Sequence, residues 1–135
     1  MEQQFHGECL CGKVRFHYSG ASLWCAHCHC TLCQRAHGAA VVTWVGVTEA
    51  AFHLDAAADL LWYDSSEQAQ RGFCGNCGSS LFFRSQRWPR EVHIALAAMT
   101  DAIDRQPAAH VFWDAHVDWL SFNDALPKTE GSGDG

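Results

Sequence analysis

The chain has 135 residues, enough for one domain with a real core, and is 48% hydrophobic and 18% charged. Its formal net charge of −6, and nine Lys and Arg residues that nowhere gather into a basic run, argue against a general nucleic-acid or anionic-membrane surface. The polar N-terminal stretch MEQQFHGECLCG has no apolar signal core and no apolar run is long enough to span a bilayer, so a cytoplasmic protein is expected.

In chain order, KVRFHYSG (residues 13–20) places Val14, Phe16 and Tyr18 on one face and Lys13, Arg15 and His17 on the other, the alternation of a half-buried strand. The stretch WCAHCHCTLCQRAHG (residues 24–38) then brings four cysteines and three histidines into fifteen residues. Its second half, TLCQRAHG, predicts one or two helical turns stopped by Gly38. AAVVTWVGV (residues 39–47) is β-branched and aromatic and reads as a strand that Gly46 breaks near its end. Residues 55–60 predict another helical turn. LLWYDS, SLFFRS, EVHIALAAM and HVFWDAHVDW read as further strands. Residues 1–125 are thus expected to form a single, mainly β domain with short helical turns. Residues 126–135, LPKTEGSGDG, read as a disordered tail.

Eight cysteines in a reducing compartment point to metal binding or redox chemistry rather than to disulfides. They fall into three groups. Cys74 and Cys77 form C-x-x-C-G, a metal knuckle that supplies two of the four ligands a structural zinc requires. Cys9 and Cys11, in C-x-C-G, are the economical second pair, with the central group as the competing partner. Cys28, Cys30 and Cys33 form C-x-C-x-x-C, three thiolates on a short arc. Three protein ligands leave one coordination position open, as in a catalytic zinc; a fourth ligand closes the site. Cys25, three residues before Cys28, has a chelating spacing, and His27, His29 and His37 are also in range. The sequence leaves both an open and a closed site standing. His29, between two thiols, is expected to point away from the metal and to act behind it.

The set Cys9-x-Cys11-Gly, Cys28-His29-Cys30-x-x-Cys33 with Arg35 and Gly38, and Cys74-x-x-Cys77-Gly resembles the glutathione-dependent formaldehyde-activating enzyme family, which includes centromere protein V. The resemblance covers roughly residues 5 to 120. It implies a β-tent fold, in which small antiparallel sheets are joined around zinc. It also implies two zinc ions: a structural one on Cys9, Cys11, Cys74 and Cys77, and a catalytic one on Cys28, Cys30 and Cys33. Cys25 lies outside the family pattern and is a candidate extra ligand.

The activity implied is that of a carbon–sulfur lyase acting on a thiol adduct of a small aldehyde, such as S-hydroxymethylglutathione, with glutathione as co-substrate. His27, His29 and His37 are candidates to move the proton, and Arg35 to pair with a carboxylate of the thiol. The rival readings are a non-catalytic zinc-binding interaction module and a redox or metal-buffering protein. Neither a membrane nor a nucleic-acid partner is expected, and the oligomeric state is not legible.

Overall fold

The β-branched and aromatic segments pair into two sheets in the computed structural model, which describes residues 2–133. In chain order the first elements are β1 (Gln4–Glu8), β2 (Arg15–Ser19), β3 (Trp24–Cys28), helix α1 (Thr31–His37) and β4 (Val42–Thr48). There follow β5 (Phe52–Ala56), β6 (Leu60–Ser66), β7 (Ala69–Cys74), β8 (Ser80–Ser85), β9 (Glu91–Ala95) and the short β10 (His110–Val111). Three strands, β1-β2-β5, make a small antiparallel sheet. Seven make the larger one in the order β10-β3-β4-β9-β8-β7-β6, antiparallel except where β10 lies parallel to β3. The fold is the mainly β, two-sheet arrangement expected of a β-tent, with α1 its one α-helix among the described residues.

Alternation explains where the core sits. Phe5, Phe16 and Tyr18 turn inward from the small sheet and meet Val45, Val47, Phe82, Val92 and Ile94 of the large one. Strand β4 also buries its other face. Val42 and Trp44 pack with Cys28, Cys33 and Ala95 in a second cluster. Helix α1 ends at Gly38, whose φ of 60° gives the left-handed turn that stops it.

Several expectations need correction. Gly46 does not break β4 but lies inside it, paired with Trp24 and His93. The strand expected over EVHIALAAM ends at Ala95, where Leu96–Ala98 form a 3₁₀ turn. Residues 55–60 do not form a helical turn: Asp55 lies in β5 and Leu60 opens β6. The carbonyl of Asp59 accepts the Gly75 N–H at 2.7 Å, so tertiary pairing uses a group that a helix would need. The strand expected over HVFWDAHVDW stops after Val111, where Phe112 takes a φ of 53° and leads into a 3₁₀ turn at Trp113–Ala115. Residues 126–133 are not a loose tail. His110 N–H donates to the Pro127 carbonyl at 2.9 Å, Thr129 N–H returns to the His110 carbonyl at 2.9 Å, and Phe112 N–H donates to Gly131 at 2.7 Å. The polar composition concealed a backbone that pairs along the edge of β10. Residues 134–135 lie outside the described residues.

One cross-sheet row positions the site. Trp24, Gly46, His93, Phe83 and Arg71 are register partners on β3, β4, β9, β8 and β7, and so share one face. Within it the Trp24 indole lies directly over Gly46, where an added Cβ would meet ring atoms at 2.3 Å. Gly46→Val is therefore expected to displace Trp24 and to destabilise the fold by about 1–3 kcal/mol, the usual range for overpacking. Urea unfolding followed by tryptophan fluorescence measures this; an unchanged midpoint and native spectrum would contradict it.

Candidate functional site

Two groups of thiols lie in different places. Cys9 and Cys11 stand in the turn between β1 and β2, while Cys74 ends β7 and Cys77 follows in the next turn. Their four sulfurs lie within 4.8 Å of one another. Cys9 to Cys11 is 3.6 Å and Cys11 to Cys74 is 3.7 Å. A tetrahedral zinc with Zn–S near 2.3 Å sets its sulfurs about 3.8 Å apart, whereas a disulfide would hold them near 2.05 Å. The donor set and spacing fit a metal. Backbone N–H groups of Val14 and Cys77 point at the Cys9 and Cys74 sulfurs at 3.3 and 3.5 Å, further support for thiolate charge. The cluster couples the turn of the small sheet to the end of β7, and Leu10 N–H adds a hydrogen bond to the Ser79 hydroxyl at 3.0 Å.

Cys28, Cys30 and Cys33 meet where β3 passes into α1. The Cys28 and Cys33 sulfurs are 3.6 Å apart. Hydrogen bonds from Cys28 and Cys33 hold the Cys30 thiol far below its usual range, and the same bonding pushes Cys28 up. All three line a cavity of about 750 Å³, which the four-thiol cluster does not reach.

The row across the large sheet supplies the cavity's opposite wall. Arg71, buried in that wall, brings Nη1 and Nη2 to 3.7 and 3.6 Å from the Cys33 sulfur and lies 4.9 Å from the Phe83 ring centroid. Its Nε has no hydrogen-bond partner among the described residues. Further along, one carboxylate oxygen of Glu91 accepts from Trp24 Nε1 at 3.2 Å and lies 3.0 Å from His93 Nε2. Burial holds His93 below the ordinary imidazole range.

The sequence-expected polar residues fall elsewhere. Arg35 is exposed on α1 and does not line the cavity; the guanidinium that reaches the thiols is Arg71, donated by a distant strand. None of His27, His29 and His37 lines the cavity. His29 does point away from the thiols as expected, into a chain of two buried imidazoles that ends on an exposed carboxylate: its Nε2 is 2.8 Å from His110 Nδ1, and His110 Nε2 is 2.9 Å from Asp124. Gln34 Nε2 donates to the His29 carbonyl at 2.7 Å, fixing the loop between Cys28 and Cys30 from behind. Burial, reinforced by the His110 charge, lowers His29 to about 4, so it stays neutral near pH 7.

Cys25 is corrected as a candidate ligand. It lies on β3 three residues from Cys28, and an odd separation on a strand sends two side chains to opposite faces. Cys25 packs in the main core with Phe5 and Val45 and Cys28 in the second cluster, although the cavity touches both residues. Arg71, His93, His110 and Asp124 carried no local signal. Only the long-range register brings them in.

Residues 4–115 match the family model described as glutathione-dependent formaldehyde-activating enzyme. The chain belongs to this family. A Halomonas elongata protein named "Putative glutathione-dependent formaldehyde-activating enzyme" is 26% identical over 130 residues, covering 84% of this chain and 78% of that protein. A Rhodobacter sphaeroides protein of known crystal structure is similar in fold, with a TM-score of 0.59 at 20% identity over 92% of this chain and 99% of its own. No helix among the described residues is long and apolar enough to cross a membrane.

Burial pushes the Cys25 thiol up to about 11, which predicts a distinct reactivity. Alkylation of the native protein by iodoacetamide at pH 8 should leave Cys25 unmodified, and unfolding should expose it. Peptide mass mapping showing Cys25 labelled as fast as Cys11 would refute this placement.

Proposed function

We propose that the protein is a zinc-dependent carbon–sulfur lyase acting on the adduct of a small aldehyde with glutathione or a related thiol, such as S-hydroxymethylglutathione. The observation that carries this reading is the separation of the two thiol groups. Cys28, Cys30 and Cys33 line a cavity that could hold a ligand, while the four-thiol cluster stands apart from it. A structural zinc would be held by Cys9, Cys11, Cys74 and Cys77, and a second by Cys28, Cys30 and Cys33. The second zinc would supply a thiophilic position that keeps a thiol deprotonated.

The chain's own groups complete the reading. The adduct HO–CH₂–S–R becomes CH₂O and HS–R when the C–S bond breaks with its electron pair going to sulfur. The hydroxyl proton leaves as the carbonyl forms, and sulfur ends with one proton; the reverse direction makes the adduct. The Glu91–His93 pair is the titratable pair in the cavity wall, and it takes up and returns that proton. Arg71 sets a positive charge against Cys33 and offsets the negative charge of a thiol-rich site. Trp24, hydrogen-bonded to Glu91, orients the carboxylate. A reducing, cytoplasmic setting would keep all eight thiols free, as they are here.

The test compares two variants. Purified protein, supplemented with zinc, should carry close to two zinc ions by elemental analysis. Cys30→Ser should remain folded, lose one zinc and lose lyase activity on S-hydroxymethylglutathione. Cys77→Ser should unfold or melt far lower, because a structural zinc contributes on the order of 10 kcal/mol to folding. Equal thermal damage in both variants would defeat the division into two sites. Two zinc ions with no turnover of any thiol adduct would favour a zinc-binding interaction module.

The acid–base assignment has its own test. His93→Gln should lower kcat by about 10²–10⁴-fold, the usual contribution of a general acid or base, while both zinc ions remain. A variant with unchanged kcat would remove the Glu91–His93 pair from the chemistry.

A further inference from the structure

Resting on the lyase reading, we infer that the carbon arm attached to the sulfur of the substrate is bulky and apolar, an arylalkyl or branched alkyl group, rather than the single carbon of formaldehyde. Three observations lead there. The first is size. A cavity of about 750 Å³ lies well within the roughly 300–1,000 Å³ of pockets that enclose whole drug-sized ligands. A hydroxymethyl arm on sulfur would leave most of that wall uncovered.

The second is the wall itself. Trp24, Trp44, Phe83, Trp88 and Phe112 line the cavity with five aromatic side chains. Three of these rings surround His93, which lies 4.6 Å from Trp24, 5.6 Å from Phe83 and 5.4 Å from Trp88. Rings placed around one volume offer faces and edges to an apolar guest.

The third is that the charged groups beside these rings already have contacts there, although Arg71 Nε itself has no hydrogen-bond partner among the described residues. The Glu91 oxygen that faces Trp24 is shared with His93, and Arg71 is turned to Cys33 and Phe83. Arg87, exposed at the cavity's edge, lies over Trp88 at 4.8 Å and donates to Ser132 at 2.9 Å. A charged arm lying against the rings would lose hydration and would compete with these contacts. An apolar arm loses nothing, and the charged part of the thiol stays towards solvent beside Arg87.

The reaction keeps the balance described above. R–CH(OH)–S–R′ gives R–CHO and R′–SH, with the C–S electron pair going to sulfur, the hydroxyl proton leaving oxygen, and no oxidant or reductant consumed. Only R changes.

Calorimetry on the zinc-loaded protein, with S-methylglutathione and S-benzylglutathione as probes, tests the inference. S-benzylglutathione should bind at least ten-fold more tightly. Trp88→Ala should bring the two affinities within about three-fold, and Trp88→Phe should restore most of the difference. The wild-type ratio decides the matter even if Trp88→Ala fails to fold. Equal wild-type affinities would overturn the inference and leave the lyase reading intact. If neither conjugate binds, glutathione is the wrong thiol, and the comparison passes to benzyl mercaptan and ethanethiol. A ten-fold preference for benzyl mercaptan then sustains the apolar arm, and equality overturns it.

Discussion

Strand β4 is buried on both faces, and the placement of everything else follows from that double burial. Val45 and Val47 face the small sheet, and Val42 and Trp44 face the cysteine trio. In an antiparallel sheet one face is commonly left to solvent. Here each side chain that leaves water contributes roughly 1.5–3 kcal/mol, so β4 binds two layers that would otherwise have no common wall. The cavity is the part of the second layer that side chains do not fill. Gly46 is required at the one place where β4 must let the Trp24 indole cross it.

The cysteine trio is assembled across that layer by parts with separate origins. Cys28 comes from the last residue of β3 and Cys33 from α1, and neither would hold position alone. Two supports fix them from opposite sides. In front, Arg71 reaches Cys33 from β7. Behind, Asp124, His110 and His29 form a hydrogen-bonded line from the C-terminal segment to the loop between the thiols. An imidazole fully removed from water is costly unless its nitrogens are matched, and His110 matches both of its own. This explains why residues 126–133 are ordered despite their composition: they pair with the backbone of the strand that carries His110.

What was legible in the sequence divides along the range of the interactions. Thiol spacing is local, and the two pairs it joined, Cys9 with Cys11 and Cys74 with Cys77, are the four that the fold gathers into one cluster. Strand alternation is also local, and it gave Phe16 and Tyr18 their inward face. It also held the answer for Cys25. An i to i+3 pair chelates readily on a turn, and that spacing alone makes Cys25 a candidate. Residues 24–28 form a strand, and on a strand the same spacing separates the two thiols. The two arginines differ for a related reason: Arg35 is exposed on α1, and Arg71 is the one at the thiols. Arg35 is near the thiols in sequence, whereas Arg71 reaches them only through four steps of strand register. No window of the sequence contains that row.

The division between the two thiol groups has a consequence for how such a site can change. The four-thiol cluster joins the turns of two sheets and has no wall in common with the cavity. Ring substitutions at Trp88 or Phe112 alter the volume beside Cys28, Cys30 and Cys33 while leaving that fastening untouched. Both residues stand outside the strands: Trp88 lies in the turn between β8 and β9, and Phe112 just beyond β10. Turns carry fewer obligatory backbone pairings than strands and accept new side chains at lower cost. Arg71 and His93, by contrast, sit in mid-strand with their neighbours fixed by register. The fold therefore holds Arg71 and His93 within the sheet and carries part of the apolar wall, Trp88 and Phe112, on its connections.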